Sequence, residues 1–150
     1  MAEDVDGMLL ALVRGMDVVD ATWDGREEAP GFPLTVLVNG ATVSGRLIGV
    51  CTYLRATGER WRRLSGHDPR TGPLDMEEDY RELANNIEAT VRESPDDYEP
   101  PRYLHLREAH IIAPTGAIPS FGPVVEGLLM RIPLASVDGF SFGEISMERV

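Results

Sequence analysis

The sequence predicts an α+β protein, mainly β, built around a small and strongly bent sheet of five strands. The first observation is the dipeptide Asn39-Gly40, which joins two β-rich runs, Leu34–Val38 and Ala41–Val50. Both central residues of a type I′ turn need positive φ, so this dipeptide is a strong hairpin signal. The second observation is the order of patterns along the chain, which reads helix, hairpin, helical insertion and three further strands.

The return strand of the hairpin contains two glycines, Gly45 and Gly49. A glycine weakens a strand unless the sheet must bend there or another backbone must approach closely. Two in one strand predict a barrel corner.

The first element is an amphipathic helix over residues 4–20. Its apolar residues recur at helical spacing, which places on one stripe Val5, Met8, Leu9, Leu12, Val13, Met16 and Val19. Asp4 or Glu3 lies where an N-terminal cap is expected, and Asp20 marks the exit. The pattern predicts a helix that packs on the core, with a partner-binding surface helix as the alternative.

Two helices are predicted in an insertion of about residues 52–94, between the second and third strands. The first covers Thr52–Ser65, with arginines on one side. The second covers Asp75–Glu93, where apolar residues recur every three or four positions and Asp75 can cap.

Three strands follow the insertion. The first, Tyr103–Ile112, alternates between two faces, and strict alternation predicts that His105 and His110 point to opposite sides. Leu128–Ile132 and Phe140–Ile145 complete the sheet, joined by a tight turn. Asp138 and Gly139 are predicted to form the turn that leads into the last strand.

This layout resembles that of Sm-like and SH3-like small barrels, in which five bent strands are closed by an N-terminal helix. The prediction is therefore one Sm-like domain over residues 1–150. The chain lacks the Asp and Asn residues that Sm-type RNA sites use between strands two and three, and it lacks their Arg-Gly pair in the final hairpin.

Composition narrows the function classes. The net charge is −11, and all fourteen basic residues are arginines. An acidic protein repels a phosphate backbone, which disfavours general nucleic-acid binding. The exception would be a local patch of arginines at residues 60–63, where nucleic acid would meet positive charge. The chain contains no transmembrane-length apolar run and no secretory signal, so we expect a cytoplasmic protein with no membrane partner.

No residue cluster indicates catalysis, a cofactor or a metal. The single cysteine, Cys51, excludes an internal disulfide and any cysteine-based metal cage. His67 is predicted to lie in a turn, and His105 and His110 are predicted to point to opposite faces of their strand. Neither a phosphate-binding glycine loop nor a nucleophile motif is present. The sequence therefore predicts a protein that is not an enzyme.

Three blocks resemble the gas vesicle accessory protein U family, and they are LTVLVNGATVSGRLIGVCTYL, YLHLREAHIIAPTGAIP and RIPLASVDGFSFG. The family pattern falls on Asn39-Gly40, Ser44-Gly45, Leu47-Ile48, Tyr103–Leu106, Glu108-Ala109 and Leu134–Gly143. The resemblance implies a cytoplasmic, non-enzymatic protein that acts in the assembly or clustering of gas vesicles.

The resemblance also suggests partners, which are the gas vesicle shell or other gas vesicle proteins. An exposed β-edge would permit homo-oligomers, and multivalency then strengthens weak contacts. The candidate contact residues are the acidic group Glu77, Glu78 and Asp79, and the apolar loop residues Ile118 and Phe121. Two alternatives stay open, namely an Sm-like oligomer that binds another target such as RNA, and a small barrel of other function.

Overall fold

The computed structural model describes residues 5–25, 28–65, 75–112 and 127–145. In chain order these ranges form α1 (Gly7–Ala21), β1 (Phe32–Val38), β2 (Ala41–Ile48), α2 (Val50–Ser65), α3 (Met76–Glu93), β3 (Tyr103–Ile112), β4 (Leu128–Pro133) and β5 (Val137–Phe142). Short 3₁₀ helices occupy Pro95–Asp97 and Leu134–Ser136. The α+β class is confirmed, as are the N-terminal helix and the helical insertion between the second and third strands.

All five strands join one antiparallel sheet in the order β4-β3-β2-β1-β5. In a flat sheet the two outer strands would lie about 19 Å apart. The link Leu134–Ser136 reaches only about 14 Å between the ends of β4 and β5. The sheet must therefore curl. It is nevertheless open, since within the described ranges β4 and β5 do not pair, and the predicted closed barrel is not confirmed.

The turn between β1 and β2 is hydrogen-bonded to a residue of β5. Asn39 and Gly40 have φ values of 50° and 81°. The Asn39 N–H donates to Asp138 Oδ2 at 3.1 Å. At Gly139 an added Cβ would meet only Leu37 Cδ1, at an ordinary 3.7 Å. The Asp138 carboxylate therefore adds a hydrogen bond to the backbone pairing of β1 with β5, while Gly139 has room for a side chain.

Gly45 lies opposite a β-bulge in β3, and this explains the glycine. The registers of β3 with β2 and with β4 shift at this point, and Glu108 has a φ of 51°. A Cβ on Gly45 would come within 2.9 Å of the Arg107 carbonyl oxygen and 3.0 Å of Ala109 Cα. Gly45 therefore permits the close approach of another backbone.

The bulge also changes which side chains share a face of β3. Leu104, Leu106 and Ala109 are all buried in the main core, so strict alternation does not hold across the strand. His105 lies opposite Ile48, and His110 lies opposite Ser44, two positions on one face of β2. The prediction that the two histidines point to opposite faces is therefore wrong.

Two apolar clusters hold the elements together. The main core lies between α1 and the sheet, and its buried residues include Leu9, Val13, Leu34, Val36, Val43, Leu47, Leu104 and Leu106. A smaller core joins the end of α1 to the α2–α3 hairpin through Ala21, Cys51, Leu54, Ala84 and Val91. Helix α1 takes part in both, so it connects the sheet to the helical insertion.

The same substitution at two glycines should have opposite effects. Gly45→Ala places a methyl group against the β3 backbone, and we expect it to lower the free energy of unfolding by about 1–3 kcal/mol. Gly15→Ala adds a methyl group with no neighbour within 4 Å inside α1. We expect it to raise the free energy of unfolding by about 0.5–1 kcal/mol.

Urea unfolding of both variants and the parent chain measures these changes. A Gly45→Ala protein as stable as the parent would contradict the close approach at the bulge.

Candidate functional site

Two buried carboxylates of α1, Asp17 and Asp20, meet the start of α2. The Val50 N–H donates to Asp17 Oδ1 at 2.9 Å. The Thr52 N–H donates to Asp20 Oδ2 at 2.8 Å, and the Thr52 hydroxyl donates to Oδ1 at 2.5 Å. The first N–H groups of a helix lack partners within it, and negative charge is favourable at that end. The acids of α1 therefore cap α2.

Gly49 makes this cap possible. It follows the last residue of β2 and directly precedes α2. A Cβ at this position would overlap the Asp20 side chain. Gly49 is therefore set by the space that the carboxylate needs, and it does not mark a corner within a strand, as the sequence had suggested.

Asp17 also accepts a hydrogen bond from the segment that leads into β3. The Tyr98 hydroxyl donates to Asp17 Oδ2 at 2.6 Å. Nearby, Arg92 Nε donates to the Ala21 carbonyl at 2.8 Å and so holds the end of α1 against α3. The cluster therefore joins α1, α2, α3 and the 3₁₀ turn before β3.

A cleft of about 230 Å³ adjoins Asp17. Its lining consists of Asp17, Val50, Tyr98–Tyr103, His105 and Arg131. The segment Glu99–Tyr103 also borders a larger groove of about 910 Å³, whose lining is mostly apolar and includes Leu10 and Leu134. Polar and titratable side chains therefore converge in the smaller cleft.

His105 is the least satisfied polar residue of the cleft. It is 4% exposed, and its Nδ1 has no hydrogen-bond partner among the described residues. Its ring stacks on Tyr53 of α2, with 4.3 Å between the ring centroids. Arg131 lies opposite it on β4. A buried nitrogen without a partner costs free energy, which suggests that it has a role.

Burial shifts the pKa values of these groups in opposite directions. Desolvation raises the pKa of Asp17 to about 6, although the Tyr98 and Val50 hydrogen bonds oppose the shift and the charge of Asp20 adds to it. Desolvation lowers the pKa of His105 to about 4, and the Arg131 charge acts in the same direction. Burial likewise raises the Cys51 pKa to about 12, so this thiol stays protonated.

The acidic residues predicted as partner contacts lie in the first turn of α3. Glu77 pairs with Arg62 at 3.1 Å and with Arg81 at 2.9 Å, and Glu78 pairs with Arg81 at 2.8 Å. Asp79 is exposed and forms no ion pair with a described residue. The loop candidates Ile118 and Phe121 lie outside the described residues.

The arginine patch at residues 60–63 lies on α2, apart from the further arginine Arg46 on β2. Arg46 on β2 donates to the Gly31 carbonyl and lies 3.8 Å from Glu144. Arg62 on α2 is paired with Glu77. Across the described ranges no three potential metal-ligating side chains come together, and no helix has the length and apolar character of a membrane span.

Sequence reasoning missed the cap and the cleft. Asp17 lies four positions after Val13 and eight after Leu9, so it belongs to the buried stripe of α1. An acid on such a stripe is a usable signal of a buried partner. His105 carried no comparable signal, because its environment depends on α2 and β4, which are distant in sequence.

One comparison with known proteins gives a match. A family model described as Gas vesicle protein GvpU-like matches residues 24–145. That range contains the sheet, the α2–α3 hairpin and most of the cleft, while Asp17 and Asp20 precede it. No curated protein and no solved structure gives a significant match.

The opposed pKa shifts should be visible in the pH dependence of stability. From about pH 4 to 6 folded Asp17 retains a proton that the unfolded chain releases, so its contribution to stability falls as pH rises. From about pH 6.5 down to 4 folded His105 stays neutral while the unfolded chain gains a proton, so its contribution falls as pH drops. The two slopes offset each other in the parent chain.

Replacing Asp17 or His105 removes that residue's contribution to the pH dependence of stability. Between pH 4 and 6.5, the stability of Asp17→Asn relative to the parent should rise with pH by about 2–3 kcal/mol. The relative stability of His105→Phe, which keeps a ring against Tyr53, should fall by a similar amount. Urea unfolding at several pH values measures both, and parallel curves for all three proteins would contradict the assignment.

Proposed function

Because this chain belongs to the gas vesicle protein GvpU-like family, we propose that it acts in the assembly or clustering of gas vesicles through protein–protein contacts. The family match is the observation that carries the proposal. The proposed partners are the vesicle shell or other gas vesicle proteins, and the proposed site of action is the cytoplasm. The proposal involves no catalytic step and no cofactor.

The acidic face of α3 is the proposed polar contact. Glu77 and Glu78 are already neutralised by Arg62 and Arg81, so they contribute less charge to a partner. Asp79 and Glu82 are exposed and have no ion pair among the described residues. A basic surface on the partner would complement them. Ile118 and Phe121 remain the proposed apolar contacts of the loop.

The outer face of α1 is suited to a second, apolar contact. Leu9 and Val13 face the core, whereas the opposite face of this helix exposes Met8, Ala11, Gly15, Val18 and Val19, with Arg14 as its one charged residue. Met8 is 71% exposed. In a chain with a net charge of −11, a helix face whose one charge is positive reduces electrostatic repulsion at a protein contact.

Self-association is the proposed source of clustering. The sheet ends in two edge strands, β4 and β5, and an edge strand offers unpaired N–H and C=O groups to another strand. β4 ends at Pro133 and exposes Arg131, features that discourage pairing at an edge. β5 has no proline and exposes Phe142, so it is the better candidate for contact between copies.

An Sm-like oligomer that binds RNA is the alternative proposal. The curled five-stranded sheet behind an N-terminal helix favours it. The dispersed and partly neutralised arginines disfavour it. RNA affinity that falls steeply with salt would support this alternative.

Co-flotation with intact gas vesicles tests the proposed function. Purified protein is mixed with floating vesicles or with pressure-collapsed ones, and its recovery in the floating layer is measured. We expect saturable recovery with intact vesicles alone. No recovery at micromolar protein would overturn direct shell binding.

A pair of matched variants locates the contact. Asp79→Lys with Glu82→Lys should weaken vesicle binding about 5–30-fold, because each reversed exposed charge is worth about 0.5–1 kcal/mol. Asp96→Lys with Asp97→Lys makes the same charge change on the exposed 3₁₀ helix and should change binding less than about twofold. Equal losses would contradict a contact at α3.

A further inference from the structure

The polar cleft beside Asp17 is not used by the proposed vesicle contacts. Its volume of about 230 Å³ corresponds to roughly seven or eight water molecules, at about 30 Å³ each. An inorganic phosphate or a small carboxylate fits that space. A binding role for the cleft therefore concerns a small molecule.

The cleft contains cationic groups without anionic partners. Arg131 places its guanidinium carbon 3.7 Å from the centre of the Tyr103 ring. Stacking on a ring occupies the face of a guanidinium and leaves its N–H groups at the edge available. Neither Arg131 nor Arg102 forms an ion pair with a described residue, although the chain carries 25 acidic residues.

His105 supplies a directional group in the same place. It is 4% exposed, its Nδ1 lacks a partner, and it lies opposite Arg131 across the β3–β4 pair. A neutral imidazole can donate one N–H, and an anion oxygen is the acceptor that a neighbouring guanidinium also favours. Because His105 Nδ1 has less than 1 Å² of accessible surface, an anion on Arg131 reaches it only after a local shift of the side chains around the ring, and it then satisfies both residues.

The two acids of the cleft differ in what they present to an anion. Asp17 is 1% exposed, and its oxygens accept hydrogen bonds from Val50 and Tyr98, but these neutral donors leave its negative charge in place, so it also opposes an anion. Glu99 is exposed and unpaired within the described part of the chain, so its charge opposes an incoming anion. Salt in solution screens that repulsion.

We propose that this cleft binds a small anion, a phosphate or a carboxylate, through the Arg131 guanidinium and the His105 Nδ1–H. The proposal is independent of the vesicle contacts, which use α3, the outer face of α1 and β5. Each can therefore fail without the other.

NMR titration of the ¹⁵N-histidine-labelled chain tests the proposal. Inorganic phosphate and acetate are added in separate arms at constant ionic strength, with chloride as the reference. A saturable shift of the His105 imidazole in either arm is expected, and the stronger arm identifies the anion class. Shifts that are linear, or equal to those with chloride, would overturn the proposal.

Three variants make the test specific. Arg131→Gln removes a charge-assisted hydrogen bond at an exposed position, and it should weaken binding about 10–100-fold. Arg63→Gln removes the same charge from the exposed surface of α2 and should leave affinity within about twofold. Glu99→Gln should strengthen binding, since it removes the opposing charge. Equal affinities for the Arg131 and Arg63 variants would overturn the assignment.

Discussion

The capping of α2 by carboxylates from α1 is the interaction on which the arrangement of the molecule depends. Asp17 and Asp20 lie at the end of a helix that packs on the sheet, and their acceptors face the first N–H groups of the helix that follows β2. Gly49 leaves the space for this contact, and the Tyr98 hydroxyl donates to the second oxygen of Asp17. Buried acids are expensive unless they are hydrogen-bonded, so the position of α1 relative to α2 is narrowly defined.

The helical insertion is consequently an integral part of the domain. The end of α1 packs into the smaller core, and Arg92 donates to the carbonyl oxygens of Ala21, the last residue of α1, and of Trp23 beyond it. The same insertion supplies Tyr53, whose ring stacks on His105 of the polar cleft. Direct contacts therefore run from the cap through α2 to the His105 ring in the cleft.

Local signals in the sequence were sufficient for most elements. β3 occupies Tyr103–Ile112, as its pattern indicated, and the capped helix after Asp75 ends at Glu93, as predicted. The family was also identifiable, since its blocks are local runs of residues. Features that depend on distant partners were not accessible. The bulge at Glu108 exists because β3 pairs with both β2 and β4, and barrel closure depends on whether two edge strands meet. Helix α1 was predicted to start near Asp4, whereas Asp6 caps it by accepting the Met8 and Leu9 N–H groups.

The position of β1 between β2 and β5 has a consequence for synthesis on the ribosome. β1 pairs with β2 through the adjacent hairpin, but its other neighbour in the sheet is β5. The hydrogen bond from the Thr35 hydroxyl to the Gly143 carbonyl spans 108 positions of the sequence. At translation rates of about 5–20 residues per second, β1 waits roughly 5–20 s with one edge unpaired. During that interval the nascent chain exposes a β-rich edge to other chains. Newly made copies are therefore most prone to misassembly before their final residues emerge.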